Sequence, residues 1–263
     1  GAQGTYSNNL SAFGADGFTV GSGSLTNDNG YTFASWNWKA NGAGSANTDG
    51  SINSTVSANT TSGFSIVKWV GTGANATIGH GLGVAPSLLI SKNYGTATNW
   101  YVYHKSLGAT KNVRLNLANA SATETAVWND TAPTNSVFSV GTNTSVNNSG
   151  DNTITYCFAE KKGFSKFGSY TGNGSSSNSP FIYTGFKPAF IMLKKTSGTG
   201  DWFINDIKRN TFNVVNTQLY PNLNVAEENT SATQHDILSN GFKLRGTTSN
   251  ALNSGNDTYI YMV

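Results

Sequence analysis

The chain has 263 residues and a net charge of +3, with 11% charged residues against 37% hydrophobic and 12% aromatic ones. Disordered chains are highly charged and poor in aromatics, so this composition builds a folded core, and the length suits one large β domain or two smaller ones. The basic residues sit in short clusters, "EKKGFSK" (160–166), "LKK" (193–195) and "IKR" (207–209). None is the long run that argues for nucleic acid, and each is read as a solvated turn or strand end.

From the N-terminus, "GAQGTYSNNL" lacks a starting Met and no signal peptide is read, so the chain is taken as a piece of a longer one. "DGFTV" and "GYTFASWNW" are short β-type runs. Residues 41–62, rich in Gly, Asn, Ser and Thr, contain the alternating "SINSTVSA" and read as an ordered linker or edge strand rather than a flexible tether. Then come "GFSIVKWV", "SLLISK", "NWYVYH", "VRLNLA", "SVFSV" and "TITYCF", followed by "FIYTGF", "AFIMLKK", "DWFIND", "TFNVVN", "GFKLRG" and "TYIYMV". Short runs rich in Val, Ile, Thr and aromatics, bounded by Gly/Asn/Ser clusters, are strand signals. The best helix candidates, 116–128 and 224–232, are short and loop-like. No run approaches the roughly 18 apolar residues of a membrane helix.

The runs repeat. Pro86 of "GVAPSLLISK" falls on Pro188 of "GFKPAFIMLKK", and Trp100 of "NWYVYHKSL" on Trp202 of "DWFINDIKR", both 102 positions on. "GFSIVKWVGTG" at 63 and "GFSKFGSYTGNG" at 163 open two copies of a unit of about a hundred residues, 63–162 and 163–263. Residues 1–40 match only the unit's C-terminal part, with Phe18 opposite Phe138 and Gly30 opposite Gly150. The expected fold is all-β: an antiparallel β-sandwich of jelly-roll or lectin-like kind, built from two repeats plus a partial N-terminal copy. Either each repeat is its own sandwich or both share one. The phrase "SVNNSGDNTITYCF" (145–158) reads as the unit's closing hairpin. Its gapless match to the chain's end sets Tyr261 on Tyr156, but a one-residue slip would flip the strand's faces, so Met262 is left unassigned.

Chemistry-bearing patterns are scarce. His80, His104 and His235 form no His-x-His or His-Glu-x-x-His spacing, and no metal site or cofactor is expected. "GTGANATIG" (71–79) lacks the third glycine and the following helix of a dinucleotide loop and reads as a hairpin connection. The acids, among them Glu160, Glu227 and Glu228, form no recognisable glycosidase pair. Cys157 lies inside an alternating strand and reads as a small buried hydrophobe. No catalytic residue is expected. Trp36 and Trp38 share one side of a strand, as sugar-binding aromatics do, yet they align with Tyr156 and Phe158; an aromatic recurring at equivalent positions is what a core face shows. Trp100 and Trp202 recur and also read as core. Trp69 and Trp128 have no aligned aromatic partner (Ser169 matches Trp69), which makes them the candidate ligand-binding residues.

Taken together, "GYTFASWNWKA", "IGHGLGVAP", "NWYVYHKSLG", "YCFAEKKGFSKFGSYTGNG" and "GDWFINDIKRN" resemble a repeat region of virion-associated, tail-fibre-like proteins of tailed phages, marine and cyanobacterial ones above all. The resemblance covers most of residues 13–263. It implies a non-enzymatic β-rich structural module on the virion surface, in a tail fibre or similar appendage involved in host attachment. Its implied partners are other virion proteins and a host surface glycan or receptor, with no nucleic acid and no membrane insertion; a homo-oligomer is expected, with a trimer as the guess. The family continues its last strand with Phe-Ala-Glu, as in "CFAE" (157–160), where this chain stops at Val263. The alternatives are a carbohydrate-binding module of an adhesin or enzyme, and a capsid decoration protein.

Overall fold

The computed structural model describes residues 4, 6–245 and 252–263. The first residues of the expected N-terminal copy, and 246–251 of the expected last copy, lie outside the described residues. An N-terminal arm holds β1 (Leu10–Phe13), β2 (Phe18–Val20) and the one-turn helix α1 (Ser24–Asn27). Next come β3 (Ser45–Asn47), β4 (Ser54–Asn59), β5 (Phe64–Val70), β6 (Ala76–Gly79), β7 (Leu88–Asn93), β8 (Tyr101–His104), β9 (Lys111–Arg114), β10 (Ala122–Thr123), α2 (Thr125–Trp128), β11 (Val137–Val140), α3 (Thr144–Asn147) and β12 (Asn152–Phe158). The last set is β13 (Phe167–Thr171), β14 (Phe181–Tyr183), β15 (Phe190–Lys195), β16 (Trp202–Asp206), β17 (Thr217–Gln218), β18 (Glu228–Asn229), β19 (His235–Leu238), β20 (Gly241–Leu244) and β21 (Thr258–Met262).

These strands form two antiparallel β-sandwiches. In the first, a sheet of order β10-β9-β8-β7-β12-β5-β4-β3 faces the pair β11-β6; in the second, β13-β21-β15-β16 faces β14-β20-β19. The strand order β5-β12-β7-β8 beside β6-β11 therefore has the same form as β13-β21-β15-β16 beside β14-β20. Because side chains alternate across a strand, each large sheet has two faces to cover. Val67, Trp69, Leu89, Tyr101, Tyr103 and Cys157 point to Ile78, Phe138 and Val140 inside the first sandwich. Ile191, Leu193, Phe203 and Tyr261 point to Ile182, Ile237, Phe242 and Leu244 inside the second. The remaining faces meet each other: Phe64, Leu88, Ile90, Val102 and Phe158 pack on Phe167, Met192, Trp202, Ile204, Ile260 and Met262. Each half is its own sandwich, and a third core joins the two large sheets into four layers. Leu88–Asn93 is consequently buried at all six positions.

Four expectations change with this arrangement. The 145–158 stretch is an arch rather than a hairpin: β11 lies in the small layer and β12 in the large sheet, with α3 and a turn at Gly150 (φ +81°) carrying the chain between layers. The 71–79 connection likewise joins β5 to β6 across layers and closes no hairpin. The closing strand is slipped by one residue from the gapless match. Tyr156 sits between Ile66 and Ile90, and it is Met262 that sits in the same way between Phe167 and Met192. Met262 thus faces the inter-sandwich core and Tyr261 the second sandwich's interior. Finally, Lys194 of the "LKK" cluster is fully buried, not solvated. Its Nζ donates to the carbonyls of Ala118 (3.2 Å), Lys195 (2.6 Å) and Gly200 (2.9 Å), which replace water around the ammonium. Lys92 does the same at the corresponding place in the first sandwich, donating to Thr98 O at 2.9 Å.

Two glycines mark where strands leave their sheets. Gly71 N donates to Asp151 O and Gly172 N to Asp257 O, and a Cβ at either would be driven into the carbonyl of Asn148 or Ser254. Gly71→Ala and Gly172→Ala should each cost about 1–3 kcal/mol, the range of overpacking where backbone must move. Calorimetric melts check this, and a Gly71→Ala protein melting with wild type would show that the two backbones are not so close.

Candidate functional site

The arm supplies the most open aromatic surface. After Gly30, whose positive φ (+81°) turns the chain, residues 31–38 have no ladder partner among the described residues. Alternation places Trp36 and Trp38 on one side, and both reach β15: their rings meet Phe190 edge-on at 6.0 and 5.5 Å. Trp36 is half-buried against the inter-sandwich core, in line with its reading as a core aromatic. Trp38 is not core. Its ring also leans edge-on against Phe158 at 5.7 Å but stays 38% exposed, because no second layer lies over it.

A charged group closes this surface at the end of β16. Asp206 Oδ1 accepts the backbone N–H of Lys208 and Arg209, both at 2.9 Å. Its Oδ2 accepts Arg209 Nε at 2.7 Å and the Trp36 indole N–H at 3.3 Å. Burial pushes the Asp206 carboxyl up, but the Arg209 hydrogen bonds and charge outweigh it and hold the group below the usual carboxylate range. Arg209 continues to Glu227, donates to Ile204 O, and lies 5.7 Å from the Trp36 ring centroid, where the ring's negative face attracts it. Between arm and β15–β16 lies a cleft of about 610 Å³, lined by Phe33, Trp38, Phe158, Phe164, Phe190 and Lys208 among others. It offers edge-on rings, one exposed indole and the Lys208 ammonium, a set suited to stacking and hydrogen bonding.

Trp69 and Trp128, the candidate ligand-binding residues from sequence, are 2% and 1% exposed and belong to the first sandwich's core. A ring with no free face cannot stack on a sugar. Trp69 Nε1 donates to Thr155 Oγ1 at 3.3 Å. Its counterpart is Tyr170, one position beyond the gapless match at Ser169: Trp69 lies opposite Thr153 on β12 and Tyr170 opposite Tyr259 on β21, each two positions before the strand-end glycine. Trp202 is core and Trp100 is half-buried, stacked parallel to Tyr156 at 6.5 Å.

The histidines are structural. His80 and His104 each place Nε2 on a carbonyl, Thr134 O and Tyr261 O (both 3.1 Å), while Nδ1 accepts a backbone N–H from Leu82 or Ser106. A carbonyl only accepts, so each ring is the neutral Nε2–H tautomer with both nitrogens used. His235 Nδ1 faces Thr233 O at 3.3 Å. No group of three or more His, Cys, Asp or Glu side chains among the described residues could hold a metal ion. Burial pushes the Cys157 thiol up to about 12, far from nucleophilic at neutral pH. No helix among the described residues is long and apolar enough to cross a membrane.

Fold and cleft together define an all-β protein of two joined antiparallel sandwiches with an aromatic surface at the seam. The whole chain, residues 1–263, matches the family described as Domain of unknown function (DUF7483), and it belongs to that family. No curated protein and no solved structure matches it.

Proposed function

We propose that this chain is a non-enzymatic structural module of a phage virion, part of a tail fibre or comparable surface appendage used in host attachment. One observation carries the reading. Two sandwiches of the same strand order are fused through the outer faces of their large sheets, Phe64, Leu88 and Phe158 against Phe167, Met192 and Met262. Fusion through a core of its own makes a stiff spacer, which suits an appendage that must hold a tip away from a particle. We read residues 63–162 and 163–263 as two copies of one unit, 41–62 as an edge piece joined to the first, and 1–40 as the C-terminal part of a further copy. The motifs resembling tail-fibre-like chains support the same assignment. Its partners would be other virion proteins and a host surface glycan or receptor, and we expect a homo-oligomer, with a trimer as the guess. The test is electron microscopy of particles labelled with an antibody fragment against the chain. Label along a tail appendage is the expected result; label on the capsid shell would replace this reading with a decoration protein, and unlabelled particles would end it.

A second reading, a carbohydrate-binding surface, is favoured by the exposed Trp38 beside Lys208. An array of host-cell polysaccharides should then show binding that Trp38→Ala weakens about fivefold, since one aromatic stack is worth ~1 kcal/mol. A blank array removes this reading and leaves the structural one standing.

A further inference from the structure

The outer face of the second sandwich's small layer carries two open aromatic rings. β14 alternates: Ile182 points into the core, while Phe181 and Tyr183 point out, 45% and 61% exposed. Both rings lean over glycines. The Phe181 ring covers Gly241 of β20, its Cζ 2.9 Å from where a Cβ would stand. The Tyr183 ring reaches over Gly185, its hydroxyl 3.5 Å from the same point there. A ring laid over a glycine keeps its other face in solvent, which the buried Trp69 and Trp128 lack.

The register sets charged groups beside the rings. Phe181 lies opposite Lys243, and Lys243 opposite Asp236; Tyr183 lies opposite Gly241, and Gly241 opposite Leu238. Asp236 Oδ2 accepts Arg245 Nε, so this carboxylate is already matched. Lys243 has no ion-pair partner among the described residues, and Lys243 with Arg245 leaves this face positive.

The first sandwich has the same positions and fills them differently. Ile78 opposite Phe138 corresponds to Ile182 opposite Phe242, so Thr77 and Gly79 stand where Phe181 and Tyr183 do. There the face is covered. Ser51 N donates to Thr77 Oγ1 at 2.9 Å, Ser54 Oγ donates to Gly79 O at 3.2 Å, and Asn47 Oδ1 fills the space of a Gly79 side chain. That cover, residues 47–54, is chain leading into the first unit. The chain leading into the second, 159–166, goes elsewhere: Ala159 N donates to Gly63 O, and Lys166 pairs with Val263. The fold thus needs no aromatic at these positions, and two stand where the preceding segment leaves the face open.

What fits there is small. Two part-exposed rings present on the order of 200 Å², against about 800 Å² per partner in a stable protein interface. β14 is three residues long, too short to template an added strand. Rings with a free face stack on the apolar faces of pyranose sugars, and an ammonium and a guanidinium beside them bind carboxylate or sulfate.

We propose that Phe181 and Tyr183 form a stacking platform for an acidic polysaccharide, with Lys243 and Arg245 taking its anionic groups. None of these residues lines the Trp38 cleft, and the site stands independently of both readings above.

The experiment titrates the full chain with polygalacturonate, which carries carboxylates, and with dextran sulfate. Methyl-esterified polygalacturonate and plain dextran are their uncharged counterparts. Saturable binding of at least one acidic polymer is expected, with its counterpart weaker by about tenfold or more. Phe181→Ala and Tyr183→Ala should each weaken it about fivefold, the worth of one stack. Lys243→Gln should shrink the preference for the acidic polymer, and Trp38→Ala should leave binding unchanged. Both rings lie outside the three cores, so wild-type melting in the variants shows intact sandwiches. If Phe181→Ala, which also uncovers Gly241, melts early, Tyr183→Ala carries the test. Ring variants that bind as wild type does overturn the proposal, because general charge would then hold the polymer. Equal binding of the uncharged counterparts, or no binding at millimolar repeat unit, also overturns it. So does sedimentation showing self-association that Tyr183→Ala abolishes, because the occupant would then be a second copy.

Discussion

Replacing Trp69 or Trp128 by alanine should lower stability by about 3–5 kcal/mol, the cost of emptying a buried indole site. Both rings lie inside the first sandwich, Trp69 edge-on to Phe138 at 6.5 Å and Trp128 edge-on to Tyr103 at 6.1 Å. Trp69→Ala also removes the donor to Thr155 Oγ1. Trp128 Nε1 has no hydrogen-bond partner among the described residues, so Trp128→Phe gives up no hydrogen bond seen there and should cost much less than Trp128→Ala. For a chain of this size the alanine losses correspond to roughly five to ten degrees in Tm. Urea titration followed by dichroism measures them. A Trp128→Ala protein as stable as wild type would mean that this ring lies outside the core.

Acid should weaken the protein before its carboxylates titrate. Burial lowers His104 from 6.5 to about 4, opposed by the hydrogen bond to Tyr261 O and reinforced by Lys105. Burial likewise lowers His235 to about 4, against the Thr233 hydrogen bond and the charge of Asp236. Their folded values lie below the unfolded one, so the unfolded chain binds more protons between pH 6.5 and 4. Stability is therefore full above pH 6.5 and is lost as pH falls towards 4, by about 3 kcal/mol for each ring. His104 belongs to the first sandwich and bonds Tyr261 of the second, so the seam should loosen first. Lys194 has the same sign at alkaline pH: burial lowers it to about 8 from 10.5, and stability rises as pH climbs through that window. Urea midpoints from pH 8 to pH 4 test the acid limb. Burial lowers His80 in the same direction, so His104→Gln, which keeps a donor for Tyr261 O and cannot titrate, should remove part of the decline and leave the remainder. A midpoint constant from pH 6.5 to 4 would refute the assignment.

Much of the candidate site was legible in the sequence and its most exposed part was not. "WNW" placed two tryptophans on one side of a strand, and both do reach Phe190. Alignment with Tyr156 and Phe158 argued for a core face, which holds for half-buried Trp36 and fails for Trp38, whose segment lacks the neighbouring strands that cover β12. The reverse happened at Trp69. Its apparent lack of a partner came from a gapless alignment, and one residue of slip brings Tyr170 to its place. Asp206 and Arg209 carried no spacing signal, because their partners Trp36 and Glu227 are brought to them by the fold.

By itself the sequence determined the class of structure. Short β-branched and aromatic runs between Gly/Asn/Ser turns specify an antiparallel all-β chain, and those preferences are local. The shared spacing of Pro86 with Pro188 and of Trp100 with Trp202 also foreshadowed matching strands, β7 with β15 and β8 with β16. Only the tertiary structure decided how many layers there are and which residues they hide. A half-buried strand announces its inner face by alternation, but β7, β8 and β16 are covered on both faces, and the polarity difference that would have marked either one is gone. For the same reason Lys194, charged and expected in solvent, ends inside: the carbonyls that replace its water come from Ala118 and Gly200, neighbours that only the folded chain provides.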